Sequence, residues 1–215
     1  MKVGVFDSGV GGLSVVRAIE AALPDVEVLF RNDHEHVPYG TRPSSEILTF
    51  ILPIFTELIS AGSAVIVVAC NTVSTTLITE LRERFSIPLI AMEPMVKPAA
   101  LLTKTGVIAV CATPTTLASK RYGWLKQEYA PDVTVIEPDC SDWSSMIEHE
   151  QIDEKKIAQR ITESLDKNAD VIVLGCTHYH WIETEIKQLA GDRAQVIQPE
   201  NAVITELTRV ISRLA

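Results

Sequence analysis

Cys70 and Cys176 are the residues through which this chain is best equipped to do chemistry. Each ends a short apolar run, in Val65-Ile66-Val67-Val68-Ala69-Cys70-Asn71-Thr72 and in Val171-Ile172-Val173-Leu174-Gly175-Cys176-Thr177-His178. Two thiols facing one carbon from opposite sides form the acid/base pair that inversion at that carbon requires. The β-branched runs read as buried parallel strands, and the segments after them run into amphipathic helix, which places both sulfurs at strand C-terminal ends. In open α/β sheets that edge is where ligands bind. The start of a helix favours a thiolate through its dipole and free N–H groups, so both thiols are expected to have pKa values drawn toward neutrality. The competing reading, a small buried hydrophobe, is the ordinary one for free cysteine. Cys111 and Cys140 lack such polar flanks and read as structural.

Other residues offer weaker signals. Asp7-Ser8-Gly9-Val10-Gly11-Gly12 resembles a turn whose amides cradle an anion at a helix start. It lacks the Gly-Lys-Ser/Thr of a phosphate loop, and Asp7 would repel a phosphate, so its carboxylate and hydroxyl suit a substrate ammonium better. An ordinary strand-to-helix turn looks the same. His178 is either a proton partner of Cys176 or a histidine held by the backbone. Asp33, His34, Glu35 and His36 form a polar loop before Pro38-Tyr39-Gly40, and His178 and His180 form a second pair. Histidines in alternation chelate a metal on a strand, but no set here has zinc-ligand spacing, so a solvated loop and no metal are expected. Glu148, near His149 and Glu150, reads as part of a solvated face.

These groups need a scaffold, and the rest of the chain supplies one. Apolar runs alternate with helical patterns: Lys2 to Phe6, Val26 to Phe30, Ala64 to Ala69, Leu89 to Ala91, Val107 to Val110, Val133 to Glu137, Val171 to Leu174 and Val196 to Ile197 are the expected strands. Single helices are expected between Ala69 and Phe85 and between Val110 and Tyr129, with others at Gly12 to Ala22, Ser44 to Ala61, Met95 to Leu102, Glu154 to Lys167, Ile182 to Leu189 and Val203 to Leu214. Such alternation implies parallel βαβ units. Val3 to Ser8 is echoed at Ile108 to Thr113, and the Cys70 motif at Cys176, offsets of 105 and 106 residues. Near-equal offsets argue for two similar halves. The expected fold is α/β with two pseudo-symmetric domains, each a mostly parallel sheet flanked by helices, and a site in the cleft between them. The domains are residues 1–95 with about 199–215, and about 96–198.

Composition narrows the function. With 19 basic and 28 acidic residues, net charge −9, and 47% hydrophobic content, the chain has a core's worth of apolar sequence and no reason to bind nucleic acid or an anionic membrane. No apolar stretch approaches the ~20 residues of a membrane span. The N-terminal residues show no signal-peptide pattern, and four scattered cysteines suit a reducing compartment, so a cytoplasmic protein with free thiols is expected.

Asp7-Ser8-Gly9, Pro38-Tyr39-Gly40-Thr41, Ala69-Cys70-Asn71-Thr72, Glu93-Pro94-Met95-Val96-Lys97-Pro98-Ala99 and Gly175-Cys176-Thr177-His178-Tyr179, in this order, resemble the glutamate racemases of the aspartate/glutamate racemase superfamily, from Lys2 to roughly Ile186. The resemblance implies cofactor-independent interconversion of L- and D-glutamate, supplying D-glutamate for peptidoglycan, by two cysteines that exchange proton roles. Carried over, Cys70 and Cys176 would be the two bases, with Asp7, His178 and Glu148 an auxiliary acid/base set. Asp7, Ser8, Asn71, Thr72, Thr177 and His178 would hold the amino and carboxylate groups. Pro38, Tyr39 and Gly40 would lie near the side-chain carboxylate, and Thr113, Thr115 and Thr116 in a second Thr-rich turn. The expected partner is a small acidic amino acid, with no cofactor.

The chain departs from the family's pattern in three places. Asn32-Asp33-His34-Glu35-His36 stands where the family reads Gly-Asp-Thr-Ala-Arg or Asn, and His180 stands for a proline; these changes are expected to border the pocket. Gln198-Pro199-Glu200-Asn201 replaces an Asp-Ser-Gly or Asp-Ser-Ala turn, and the family's further C-terminal strand and helix do not follow. A smaller first domain is therefore expected, with an edge that homodimerisation covers. Three other readings stand beside glutamate racemisation: aspartate as substrate, a silent member that binds an acidic metabolite or a protein, and a metal-dependent hydrolase using His34, His36 and His178.

Overall fold

The computed structural model describes residues 1–214, so Ala215, the last residue of the expected first domain, lies outside it. In the first half, strands β1 (Lys2–Asp7), β2 (Glu27–Asn32), β3 (Val65–Val68) and β4 (Leu89–Ala91) alternate with helices α1 (Gly12–Ala22), α2 (Ser44–Ser60), α3 (Asn71–Thr76) and α4 (Ile78–Arg84). In the second half, α5 (Val96–Leu102) leads into β5 (Val107–Cys111), α6 (Pro114–Leu117), α7 (Lys120–Tyr129) and β6 (Thr134–Ile136). There follow α8 (Trp143–Glu148), α9 (Glu154–Asp166), β7 (Val171–Leu174), α10 (Glu183–Ala190), β8 (Gln195–Ile197) and α11 (Glu200–Leu214). All pairings are parallel, and the two sheets share one strand order, β2-β1-β3-β4 and β6-β5-β7-β8. The echo at 105 and 106 residues is therefore a repeat of topology, with β1 matching β5 and β3 matching β7.

Period-two alternation explains why the central strands are apolar throughout. Val65 and Val67 pack with Val3 and Val5 against α1 and α11, while Ile66 and Val68 pack with Phe6 against α2, α3 and α4. In the second sheet Ile108, Val110, Val171 and Val173 face α5 and α7, and Ala109, Cys111, Ile172 and Leu174 face α8, α9 and α10. With both faces covered, each Val, Ile, Leu and Phe among them contributes about 1.5–3 kcal/mol by burial. Helix α11 returns to the first sheet, where Val203 and Leu207 join its core.

Two helices expected to be continuous are broken. The chain turns at Leu77 (φ −124°, ψ −6°) between α3 and α4. Thr75 and Thr76 donate their hydroxyls to the carbonyls of Asn71 and Thr72 at 2.8 and 2.6 Å, competition that weakens the helix ladder just before the break. Between α6 and α7, Ser119 leaves the helix to cap α7, accepting from the Tyr122 amide. Helix α8 was not expected, although Trp143, Met146 and Ile147 carry the i, i+3, i+4 spacing that marks one. No described helix is long and apolar enough to cross a membrane.

Candidate active site

Cys70 and Cys176 each stand two residues beyond the end of the matching strands β3 and β7, and both thiols line one enclosed cavity between the halves. Its free volume of about 20 Å³ is close to the room of a single water. Ser8, Asn71 and Thr72 wall it from the first half, as do Pro38, Tyr39 and Gly40; Thr113, Glu148, Thr177 and His178 do so from the second. Both polar atoms of the Asn71 amide are buried without a partner. Such atoms are rare in folded proteins and point to something polar that completes them.

The surroundings of the two sulfurs differ. Cys70 Sγ lies 3.5 Å from Ser8 Oγ. Burial, reinforced by the Asp7 carboxylate, pushes its pKa up to about 12, which overturns the expectation of a thiol drawn toward neutrality. Helix α3 is only six residues long, and the donors at its start do not offset the loss of water around the sulfur. Cys176 Sγ lies 3.8 Å from His178 Nδ1. Burial works against charge on His178, but its bonds to Cys176 and Glu148 prevail and hold its pKa at about 10.

Glu148 corrects a second expectation. It is not part of a solvated face: its side chain is 2% exposed, and Oε2 accepts from His178 Nε2 at 2.5 Å and from the Val10 amide at 3.2 Å. Oε1 meets His34 Nδ1 at 2.9 Å. Desolvation opposes its ionisation, but these donors hold its pKa down at about 2. Helix α8 carries Glu148 into place because Trp143 is fully buried against Tyr179, with ring centroids 5.2 Å apart. The same helix brings Ser144 and Ser145 to the cavity, residues the sequence reading missed.

Asp7 lies behind the cavity wall. Its Oδ2 accepts from the amides of Gly9 and Gly12 at 3.2 and 3.0 Å, and Oδ1 accepts from Thr177 at 3.0 Å. The glycine turn thus cradles an anion after all, but the anion is the chain's own carboxylate. Burial raises the Asp7 pKa against these bonds. Thr72, Thr113 and Thr116 form a hydroxyl cluster across the cleft, with Thr113 Oγ1 3.0 Å from each of the other two. Thr116 lies behind Thr113, and Thr115 points elsewhere, donating to the Gly40 carbonyl at 2.7 Å. The Val37–Pro38 peptide is cis, and Tyr39 donates its hydroxyl to Asp33 at 2.5 Å.

Glycines set how closely the halves approach. A Cβ on Gly11 would lie 2.6 Å from the His178 amide nitrogen, one on Gly40 would lie 2.6 Å from Thr113 Cβ, and one on Gly9 would collide with the Glu148 carboxylate.

The residues that depart from the family's pattern do not themselves line the cavity, although His34 bonds Glu148 of its wall. His36 pairs with Asp33 at 2.7 Å and stacks on Phe50, while His180 Nδ1 lies 3.0 Å from both Glu200 and Ser14. Two departures far apart in sequence, His180 and the Glu200 turn, thus form one polar junction between α1, the turn after β7 and α11. His34 and His178 meet at Glu148 while His36 points elsewhere, and no group of three possible metal ligands occurs among the described residues.

Residues 3–207 match the Asp/Glu/Hydantoin racemase family. Over 211 residues, 96% of this chain and 78% of the relative, the sequence is 40% identical to the glutamate racemase of Methylococcus capsulatus. The fold superposes on the crystal structure of Escherichia coli glutamate racemase in complex with L-glutamate and the activator UDP-MurNAc-Ala with a TM-score of 0.91, at 29% identity over 98% of this chain and 82% of that one. The Francisella tularensis glutamate racemase in complex with D-glutamate gives 0.82, at 28% identity over 99% and 81%. A shared strand order, a thiol at the end of each central strand and this likeness along nearly the whole chain agree: the chain belongs to the Asp/Glu/Hydantoin racemase family.

Proposed function

We propose that this protein interconverts L- and D-glutamate in the cavity between its halves, without a cofactor, and so supplies D-glutamate for peptidoglycan. The observation that carries the reading is a pair of free thiols on topologically equivalent strands, lining one cavity from opposite halves. A thiolate on one side removes the α-proton, and the electron pair of the broken C–H bond delocalises toward the carboxylate. The thiol on the other side then gives its proton to the opposite face, so one proton is gained, one is lost, and the two sulfurs exchange charge. Asn71, with its unpartnered amide, and the hydroxyls of Thr72, Thr113 and Thr177 are the groups assigned to the carboxylate and the charge that develops on it. Ser8, with Asp7 behind it, is assigned to the ammonium. No lysine lines the cavity to hold a pyridoxal electron sink.

A cavity of about 20 Å³ admits no amino acid, so the halves part to load substrate. The contacts across the cleft suit such motion, being hydrogen bonds such as Thr177 to Asp7 and Thr115 to Gly40 rather than a continuous apolar interface. Proton NMR in deuterated water tests the reading: L-glutamate should lose its α-proton signal with appearance of the D-enantiomer, and Cys70→Ser and Cys176→Ser should abolish racemisation. Exchange with aspartate alone would move the substrate, and exchange with neither would sink the proposal.

A further inference from the structure

We propose that His34 is a positioning residue, reaching from the first half across the cleft to clamp Glu148 on its solvent side and so hold it against His178 and Cys176. This inference rests on the racemase reading for its kinetic consequence, but its structural content stands apart from it. Both oxygens of Glu148 are engaged: Oε2 by His178 and the Val10 amide, Oε1 by His34 Nδ1 at 2.9 Å. The Glu148 side chain is 2% exposed whereas that of His34 is 70% exposed. The imidazole is therefore the group standing between a buried carboxylate and water on that side.

Because Glu148 is held ionised, His34 Nδ1 donates to it, with the ring's other nitrogen left to solvent. Removing the ring would leave Oε1 to water and free the carboxyl group to turn away from His178 Nε2. The charge on His178 would then lose part of its support. The ionisable groups that act on His178 are Glu148 from α8, Asp7 from the end of β1 and Cys176 from the end of β7, and only Glu148 is reached by His34.

The bond also joins the halves, because His34 follows β2 and Glu148 ends α8. The clamp therefore forms in the closed arrangement, when Glu148 must be in register with His178. A group that helps only in that arrangement acts on kcat more than on KM.

The test compares wild type with His34→Ala and His34→Asn. Asparagine places an amide N–H close to the position of Nδ1, and an exposed side chain leaves no core cavity when removed. The ring nitrogens of His178, followed by 15N NMR through a pH titration, should show a midpoint lowered by about half to one pH unit in His34→Ala and largely restored in His34→Asn. In the racemisation assay His34→Ala should lower kcat about threefold to tenfold, leave KM within about twofold and shift the alkaline limb of the kcat profile in the same direction. An unchanged His178 midpoint in His34→Ala, or no recovery in His34→Asn, would overturn the proposal. The titration needs no substrate, so a wild type without racemase activity would defeat the functional reading while this readout still decided the role of His34.

Discussion

The two halves present the same strand order and a thiol at the same strand end, yet they surround those thiols in opposite ways. On the first side Cys70 sits beside a buried carboxylate and a hydroxyl, and loss of water keeps its proton on. On the second side Cys176 sits beside an imidazole whose pKa is raised by its bonds to Cys176 itself and to Glu148. An anion is disfavoured near Asp7 and attracted near His178. A repeated backbone thus fixes where the sulfurs stand, while side chains from elsewhere set the charge around each. Glu148, which sets the second environment, lies 138 residues from the Val10 amide that helps to bind it.

The strongest way to break the comparison is to remove each thiol. Cys70→Ser and Cys176→Ser should each lower racemisation by about 10³-fold or more, since each removes one of two indispensable proton carriers; a variant with near wild-type turnover would show that its half does not share the chemistry.

Next comes the charge that separates the two sides. Glu148→Gln should lower kcat by about 10²-fold and bring the alkaline limb down from near pH 10 toward the ordinary imidazole range. The signs are fixed by the two pKa directions. His178, raised, contributes stability in full below about pH 6.5, lost as pH rises through about 10. Glu148, lowered, contributes above its ordinary value near 4.5 and loses that contribution as pH falls through about 2. Thermal melts across that range should therefore show a dependence at both ends, which Glu148→Gln removes at the acid end and weakens at the alkaline end.

Asp7→Asn sharpens the other side. With the neighbouring charge gone, the pH midpoint for alkylation of Cys70, near 12 in the wild type, should drop by about one unit. Gly11→Ala tests the seam between the halves. Its added methyl group meets the His178 amide, so kcat/KM should fall about tenfold with a stability loss of about 1–3 kcal/mol, read by denaturant unfolding. Smallest in catalytic effect is His180→Ala, which breaks the junction with Glu200 and Ser14. It should cost about 1–2 kcal/mol of stability while turnover changes less than twofold.

Much of this arrangement was legible in the sequence because it depends on local pattern. The β-branched runs before Cys70 and Cys176 mark central strands, and their near-equal offsets mark the shared topology. The breaks at Leu77 and Ser119 were not legible, since hydroxyl competition and capping act beneath an unbroken apolar period. Glu148 looks like surface beside His149 and Glu150, and only the docking of α8 through Trp143 buries it. Of the altered residues expected at the pocket, His34 meets a carboxylate of its wall, Glu148, whereas His36 and His180 meet carboxylates outside it. A polar loop announces that hydrogen bonds will form, not with which partner.

The unequal surroundings of the two thiols have a consequence set by thermodynamics rather than by structure. Enantiomers have equal free energies in water, so for the proposed reaction the equilibrium constant is unity and kcat/KM must be identical in the two directions. Whatever advantage the Asp7-shadowed Cys70 gives to one hand of glutamate at one step must be returned at another. The asymmetry of the cavity can appear only as matched differences, a larger kcat accompanied by a proportionately larger KM, and never as a preferred product.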